Sequence, residues 1–78
     1  MNAEQIGKMV RFHRKIAKLS QVELAQLSGI GKTAVFDIEK GKLSVQLSTL
    51  LRVLNVLNIK VEFLSPLMVL FKELNEES

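Results

Sequence analysis

Residues 20–41 read Ser20-Gln21-Val22-Glu23-Leu24-Ala25-Gln26-Leu27-Ser28-Gly29-Ile30-Gly31-Lys32-Thr33-Ala34-Val35-Phe36-Asp37-Ile38-Glu39-Lys40-Gly41. Ser20 followed three positions later by Glu23 is a capping box, in which each side chain accepts from the other residue's backbone N–H. It predicts a helix opening after Ser20, with Leu24, Ala25 and Leu27 on its inner face. Gly29 stands where a helix end needs a left-handed residue, and Ile30 turns the chain inward. A second helix is expected from after Gly31 to Lys40, stopped by Gly41. Ala34, Val35 and Ile38 share its inner face, while Lys32, Thr33, Phe36, Asp37 and Lys40 point the other way. Two short helices around a tight turn, the second with a polar outer face, suit the placement of a helix in the major groove of DNA.

Outward from this pair, the pattern stays helical in both directions. Before it, Ile6, Met9, Val10, His13, Ile16 and Ala17 fall on one arc of a helix from about Glu4 to Lys18, and Lys8, Arg11, Lys15 and Lys18 fall on the opposite arc. Leu19 ends that helix. After it, Leu47, Leu50, Leu51, Leu54 and Leu57 form the stripe of a core-facing helix from about Gln46 to Leu57. Val53 and Val56 extend its apolarity to a second side, and Asn58 fits a left-handed end. The period then changes: Ile59-Lys60-Val61-Glu62-Phe63-Leu64 alternates and predicts one short strand. Ser65-Pro66 stops it and suits the start of a helix. Leu67–Leu74 is expected to be a short helix or docking segment, and Asn75–Ser78 to fray. The chain divides into residues 1–58, a binding domain, and 59–78, a tail for dimerisation or partner binding.

With 78 residues the chain makes one small domain, yet 47% of it is hydrophobic and its mean hydropathy is +0.21. A core of this size buries a modest fraction of the surface, so part of the apolar surface is expected to meet a partner. Residues 1–42 carry eight Lys/Arg against four Asp/Glu, and residues 43–78 carry three against four. The basic half therefore coincides with the two short helices and suggests a polyanion partner. There is no cysteine, hence no disulfide framework or thiolate metal site. The longest uncharged stretches, Leu43–Leu51 and Phe63–Phe71, are too short to span a bilayer, and Met1–Lys8 lacks the apolar core of a signal peptide. A cytoplasmic protein is expected, with no membrane contact. No nucleophile–base pair or paired carboxylates stand out, and Gly29-x-Gly31 follows no strand and so is no nucleotide loop. No catalysis, cofactor or metal is expected. His13, the one histidine, is read as a satisfied core residue.

The chain resembles the Xre/Cro-type helix-turn-helix family, which includes the lambdoid phage repressors. The resemblance rests on Ile6-Gly7, Val10-Arg11, Arg14, Leu19-Ser20-Gln21, Leu24-Ala25, Gly29-Ile30, Val35, Ile38-Glu39, Gly41 and Leu47-x-Thr49-Leu50. It implies an all-α, lambda-repressor-like bundle of four to five helices. It implies further that Gln21 touches the DNA backbone and that Arg14 and Glu39 form a structural ion pair between the first and third helices. The strand that follows looks like that of HipB-like antitoxins, the partners of HipA-type kinase toxins, in which a C-terminal strand pairs with its copy across a dimer.

On the outer face of the third helix, Lys32 can donate to guanine O6 and N7, and Thr33 can hydrogen-bond a base or touch a thymine methyl. Phe36, an outward aromatic, has a partner in a thymine methyl. Asp37 can accept from cytosine N4 or repel a phosphate. Lys40 and Lys42 are the cations expected to neutralise phosphates. A homodimer is expected, joined through Val53, Val56, Ile59, Val61, Phe63, Leu67, Leu70 and Phe71. The function expected is repression from a palindromic DNA operator, as the autoregulating antitoxin of a HipA-like kinase toxin. The alternatives are a phage- or element-type repressor with no toxin, and an adaptor that lost DNA binding.

Overall fold

The structure is a computed structural model that describes residues 1–77. Five helices follow in order: α1 (Ala3–Ile16), α2 (Gln21–Ser28), α3 (Lys32–Lys40), α4 (Leu47–Val56) and α5 (Met68–Glu77). Helices α1 to α4 close around one core of Val10, Leu24, Ala25, Val35, Ile38, Val53 and Leu54. Ile6, Met9, Leu19, Ile30, Val45, Leu50, Val56, Leu57 and Ile59 pack against its edge. No described helix is long and apolar enough to cross a membrane.

The ends of the first four helices are built alike. Lys18 (φ 59°), Gly29 (φ 69°), Gly41 (φ 78°) and Asn58 (φ 60°) are all left-handed. In each case the next residue's N–H reaches back to a carbonyl five positions earlier: Leu19 to Arg14, Ile30 to Ala25, Lys42 to Asp37 and Ile59 to Leu54. This closure satisfies carbonyls that the helix itself leaves without donors. It also turns an apolar residue (Leu19, Ile30, Ile59) onto the core in three of the four cases. At the start of α2, Ser20 Oγ accepts from the Glu23 N–H at 3.0 Å and Glu23 Oε1 accepts from the Ser20 N–H at 2.9 Å. α1 opens earlier than its apolar pattern indicates because Asn2 and Gln5 form a second capping box.

Several expected faces are rotated. In α1 the buried residues are Gly7, Val10 and Arg14, whereas Ile16 is exposed. Gly7 lies there because α1 crosses the end of α3 closely: a Cβ at this position would sit 2.8 Å from the Glu39 carbonyl oxygen. His13 is half-buried outside the core, and its Nδ1 lies 2.7 Å from the Met9 carbonyl. Leu27, expected inside, is exposed, and Ser28 takes the buried place beside Leu24 and Ala25. In α4, Val53 is 0% exposed, while Leu47 and Leu51 face solvent.

The strand expected over Ile59–Leu64 is not formed. Among the described residues there are helices and turns but no strand, and a strand needs a hydrogen-bonded neighbour that none of these residues provides. Ile59 packs on the core, and Val61, Phe63 and Leu64 are exposed. Beyond it α5 runs to Glu77, past Asn75 where fraying is expected; Ser78 lies outside the described residues. Leu67, Leu70, Phe71 and Leu74, spaced i, i+3, i+4 and i+7, are all exposed.

Candidate nucleic-acid interface

The outer surface of α3 is built by what lies beneath it. Val35 and Ile38 are buried, which fixes the helix rotation and leaves Lys32, Thr33, Phe36 and Lys40 outward. Gly31 caps α3 without any side-chain hydrogen bond, so the first N–H groups of the helix stay open to an external acceptor. Lys40 Nζ sits 5.3 Å from the centroid of the Phe36 ring, within the range of a cation–π contact. Phe36 is 45% exposed, so part of its side chain is open to a ligand.

Asp37 stands apart from this row. It is half-buried, and Lys42 Nζ lies 3.7 Å from its Oδ2. The left-handed turn at Gly41 creates this pair, since it carries residue 42 back over the end of α3, where the Lys42 N–H meets the Asp37 carbonyl. Asp37 and Lys42, expected to act separately on base and phosphate, are therefore brought together. A pair across a helix end does not show in helical periodicity.

Behind the row, α3 is tied to α1 and α2. Arg14 donates from Nε to Glu39 Oε2 at 2.6 Å and from Nη2 to Oε1 at 3.0 Å. Its Nη1 donates to the Leu19 carbonyl at 2.9 Å. The side chains of Arg14 and Glu39 are only 11% and 5% exposed. The hydrogen bonds to Glu39 raise the guanidinium pKa above its ordinary value, and burial opposes them only in part. The expected interhelical ion pair is thus present. Gln21, at the first position of α2, donates from Nε2 to Glu39 Oε1 at 3.3 Å. At α2 the Glu23 carboxyl is held below the usual carboxylate range, chiefly by the Ser20 backbone N–H and further by the Ser20 side chain.

A shallow concavity beside α3 is lined by Arg11, Arg14, Gln21, Phe36, Glu39 and Lys40. Arg11, on the basic outer arc of α1, is brought to this concavity beside Lys40, whereas the cations expected to meet phosphates are Lys40 and Lys42.

Of the residues expected at a dimer interface, Val53 is closed inside the core. Val56 and Ile59 are half-buried against the core, and Val61, Phe63, Leu67, Leu70 and Phe71 are exposed. Among the described residues, no group of three or more His, Cys, Asp or Glu is placed to hold a metal ion.

The chain matches the model of a family described as helix-turn-helix over residues 10–64. It is 39% identical over 61 residues to an uncharacterized HTH-type transcriptional regulator, y4mF, of Sinorhizobium fredii, a match covering 78% of this chain and 80% of that protein. It is 38% identical over 58 residues to the control protein C.SmaI of Serratia marcescens, covering 74% of this chain and 69% of that protein.

Proposed function

The chain belongs to this helix-turn-helix family, and on that premise we propose that it is a sequence-specific DNA-binding regulator of transcription. The observation that carries the proposal is the outward row Lys32, Thr33, Phe36 and Lys40 on a helix locked from behind by the Arg14–Glu39–Gln21 cluster. A helix that reads base edges has to present donors in a fixed register, and the cluster behind α3 supports that reading. Lys32 and Thr33, at its N-terminal end, enter the major groove first and read bases. Lys40, Lys42 and Gln21 contact phosphates.

The protein acts as a homodimer on a palindromic operator whose half-sites lie one helical turn, about 10 bp, apart. What supports the dimer is the run of exposed apolar side chains from Val61 to Leu74, surface that a small monomer rarely leaves uncovered. Residues 59–64, without a strand neighbour among the described residues, pair antiparallel with the two-fold related copy, and the α5 stripe closes over them. In its biological role the dimer represses its own operon as the antitoxin of a HipA-like kinase toxin. That role rests on the HipB-like pattern of the sequence, and it requires a kinase-like gene beside this one.

The test is a titration of a duplex taken from upstream of the gene, alongside a scrambled duplex of the same length. The upstream duplex is expected to bind more tightly, and Lys32→Ala is expected to cost about 1–3 kcal/mol at one base pair while relaxing preference there. Equal binding of both duplexes by the unaltered protein defeats sequence-specific recognition. Unchanged specificity in Lys32→Ala removes α3 as the reader.

A further inference from the structure

We infer that α5 of a second copy docks on the outer face of α1, antiparallel to it, with Leu70 and Leu74 seated on the partner's Ile16 and Phe12. This rests on the homodimer reading and adds to it the surface that α5 meets.

On α1, Phe12 is 62% exposed and Ile16 69%. Four residues apart, they share one face of the helix. The Phe12 ring is backed edge-on by His13, with centroids 5.6 Å apart, and His13 is itself held by its Nδ1 contact with the Met9 carbonyl. A fixed aromatic beside an exposed isoleucine is apolar surface that calls for cover. On α5, Met68, Phe71 and Lys72 line a hollow against residues 61–65. Leu70 and Leu74 do not line it, and they are 52% and 60% exposed. The two uncovered faces carry opposite charge. α1 has four Lys/Arg against one Glu, and α5 has one Lys against three Glu. Lys15 and Glu73 enter no ion pair among the described residues. At about 100° per residue, Lys15 flanks Phe12 and Ile16 on the same side, viewed from the helix N-terminus, as Glu73 flanks Leu70 and Leu74. Two facing helices bring such flanks together only when they run antiparallel. With Leu74 on Phe12 and Leu70 on Ile16, Glu73 comes within two residues' rise of Lys15, about 3 Å along the axis. The partner copy, rather than the same chain, supplies α5 because of how residues 59–64 pair. Antiparallel pairing sets the end of that segment in one copy beside its start in the other, and Ile59, at the start, is seated on the core edge. Each α5 therefore begins at the edge of the partner's bundle, whose α1 offers the apolar face of opposite charge.

The chain has no cysteine, so single cysteines report proximity directly. Full-length Ile16→Cys is mixed with Leu70→Cys of a different mass, and Phe12→Cys with Leu74→Cys in the same way, before mild oxidation. The expected product is a disulfide-linked pair holding one chain of each kind, formed in preference to pairs of like chains. Ile16→Cys and Leu70→Cys placed together in one chain are expected to link two chains; a disulfide closed within one chain overturns docking on the partner. Sedimentation without DNA gives a second readout. Phe12→Glu is expected to weaken the dimer about tenfold or more, because burying a Phe contributes at least that factor. Its folded monomer should melt as before, since Phe12 lies outside the core. Lys15→Glu and Glu73→Lys should each weaken the dimer several-fold, and the two together should restore it. If the unaltered chain is a dimer but no mixed disulfide forms, or Phe12→Glu leaves its dissociation constant unchanged, the docking on α1 is overturned and the homodimer stands. If the unaltered chain sediments as a monomer at every concentration, both fall.

Discussion

Glu39 grips Arg14 with both carboxylate oxygens across 25 residues of chain, at 2.6 Å and 3.0 Å. The pair pins α1 to the end of α3 with little access to water. Removing one partner leaves a charge poorly hydrated and unpaired, which costs about 3–5 kcal/mol where burial is deep. Arg14→Leu is therefore expected to lower stability by that order in urea denaturation. Replacing both, as Arg14→Met with Glu39→Leu, is expected to recover most of the loss, since no isolated charge remains. A double variant as unstable as Arg14→Leu alone contradicts this account.

Lys18 holds a left-handed conformation, φ 59°, at the end of α1. A side chain costs roughly 1–2 kcal/mol there relative to glycine, partly offset by the greater freedom of glycine in the unfolded chain. Lys18→Gly is expected to raise the midpoint of thermal unfolding, by an amount worth up to about 1 kcal/mol. Gly41→Ala is expected to do the opposite and more strongly. It has φ 78°, and its Cβ would meet the Cα of Glu4 at 2.8 Å. A drop in stability for Lys18→Gly contradicts the strain argument.

Glu23 gives the fold a pH dependence of definite sign. Its carboxyl sits below the usual range in the folded chain because Ser20 hydrogen-bonds the ionised form. The unfolded chain therefore takes up the proton first on acidification. The stabilisation is present above the ordinary carboxylate range and is lost as the pH falls through the lowered value. Thermal melts from neutral pH downward should show this loss, and Glu23→Gln should lack that part of it. Ser20→Ala should cost about 1 kcal/mol at neutral pH, the usual value of an N-cap.

Asp37 and Lys42 are expected to act as a unit on DNA. Their contact at 3.7 Å ties up a cation beside α3, the proposed reading helix. Asp37→Asn is expected to free Lys42 and tighten both the upstream and the scrambled duplex, whereas Lys42→Ala weakens both. A loss of preference at one base pair in Asp37→Asn, without general tightening, shows instead that the carboxylate reads cytosine N4.

The parts of this fold that were legible in the sequence are those fixed by local chemistry. Ser20 with Glu23, and the left-handed ends at Gly29, Gly41 and Asn58, follow from which side chains tolerate those backbone positions, so α2 and α3 were bounded correctly. The faces were less legible. A chain with this many apolar residues offers more of them than four short helices can bury, so the arcs pointed Ile16, Leu27 and Leu47 inward where the structure leaves them exposed. Gly7 and Arg14 are buried for reasons that hydrophobicity does not express, one a close helix crossing and the other a partner 25 residues away. The row Lys32, Thr33, Phe36 and Lys40 was legible because the inner face of α3 is unambiguous. The Asp37–Lys42 pair, made across the helix end by the turn at Gly41, falls outside helical periodicity, and the concavity at Arg11 depends on tertiary folding; neither was legible. The strand over Ile59–Leu64 was read from alternation alone, which says nothing about whether a neighbour exists.

The tail gives the last prediction. Val61, Phe63, Leu67, Leu70, Phe71 and Leu74 are all exposed, and Phe63 and Leu67 by more than two thirds. None of them belongs to the core or to the residues packed on its edge. Truncation after Lys60 keeps Ile59 on the core and keeps its hydrogen bond to Leu54, which closes α4. The truncated protein is therefore expected to remain helical and to melt cooperatively. Without the tail it should sediment as a monomer, and its affinity for the upstream duplex should fall steeply, because one half-site contributes only part of the contacts of two. Milder versions, Leu70→Glu and Phe71→Glu, place a charge in the same stripe without shortening the chain and should shift the equilibrium the same way. Sedimentation at several concentrations measures this directly. A truncated chain that still sediments as a dimer and still binds the upstream duplex at full strength would assign the tail to another partner.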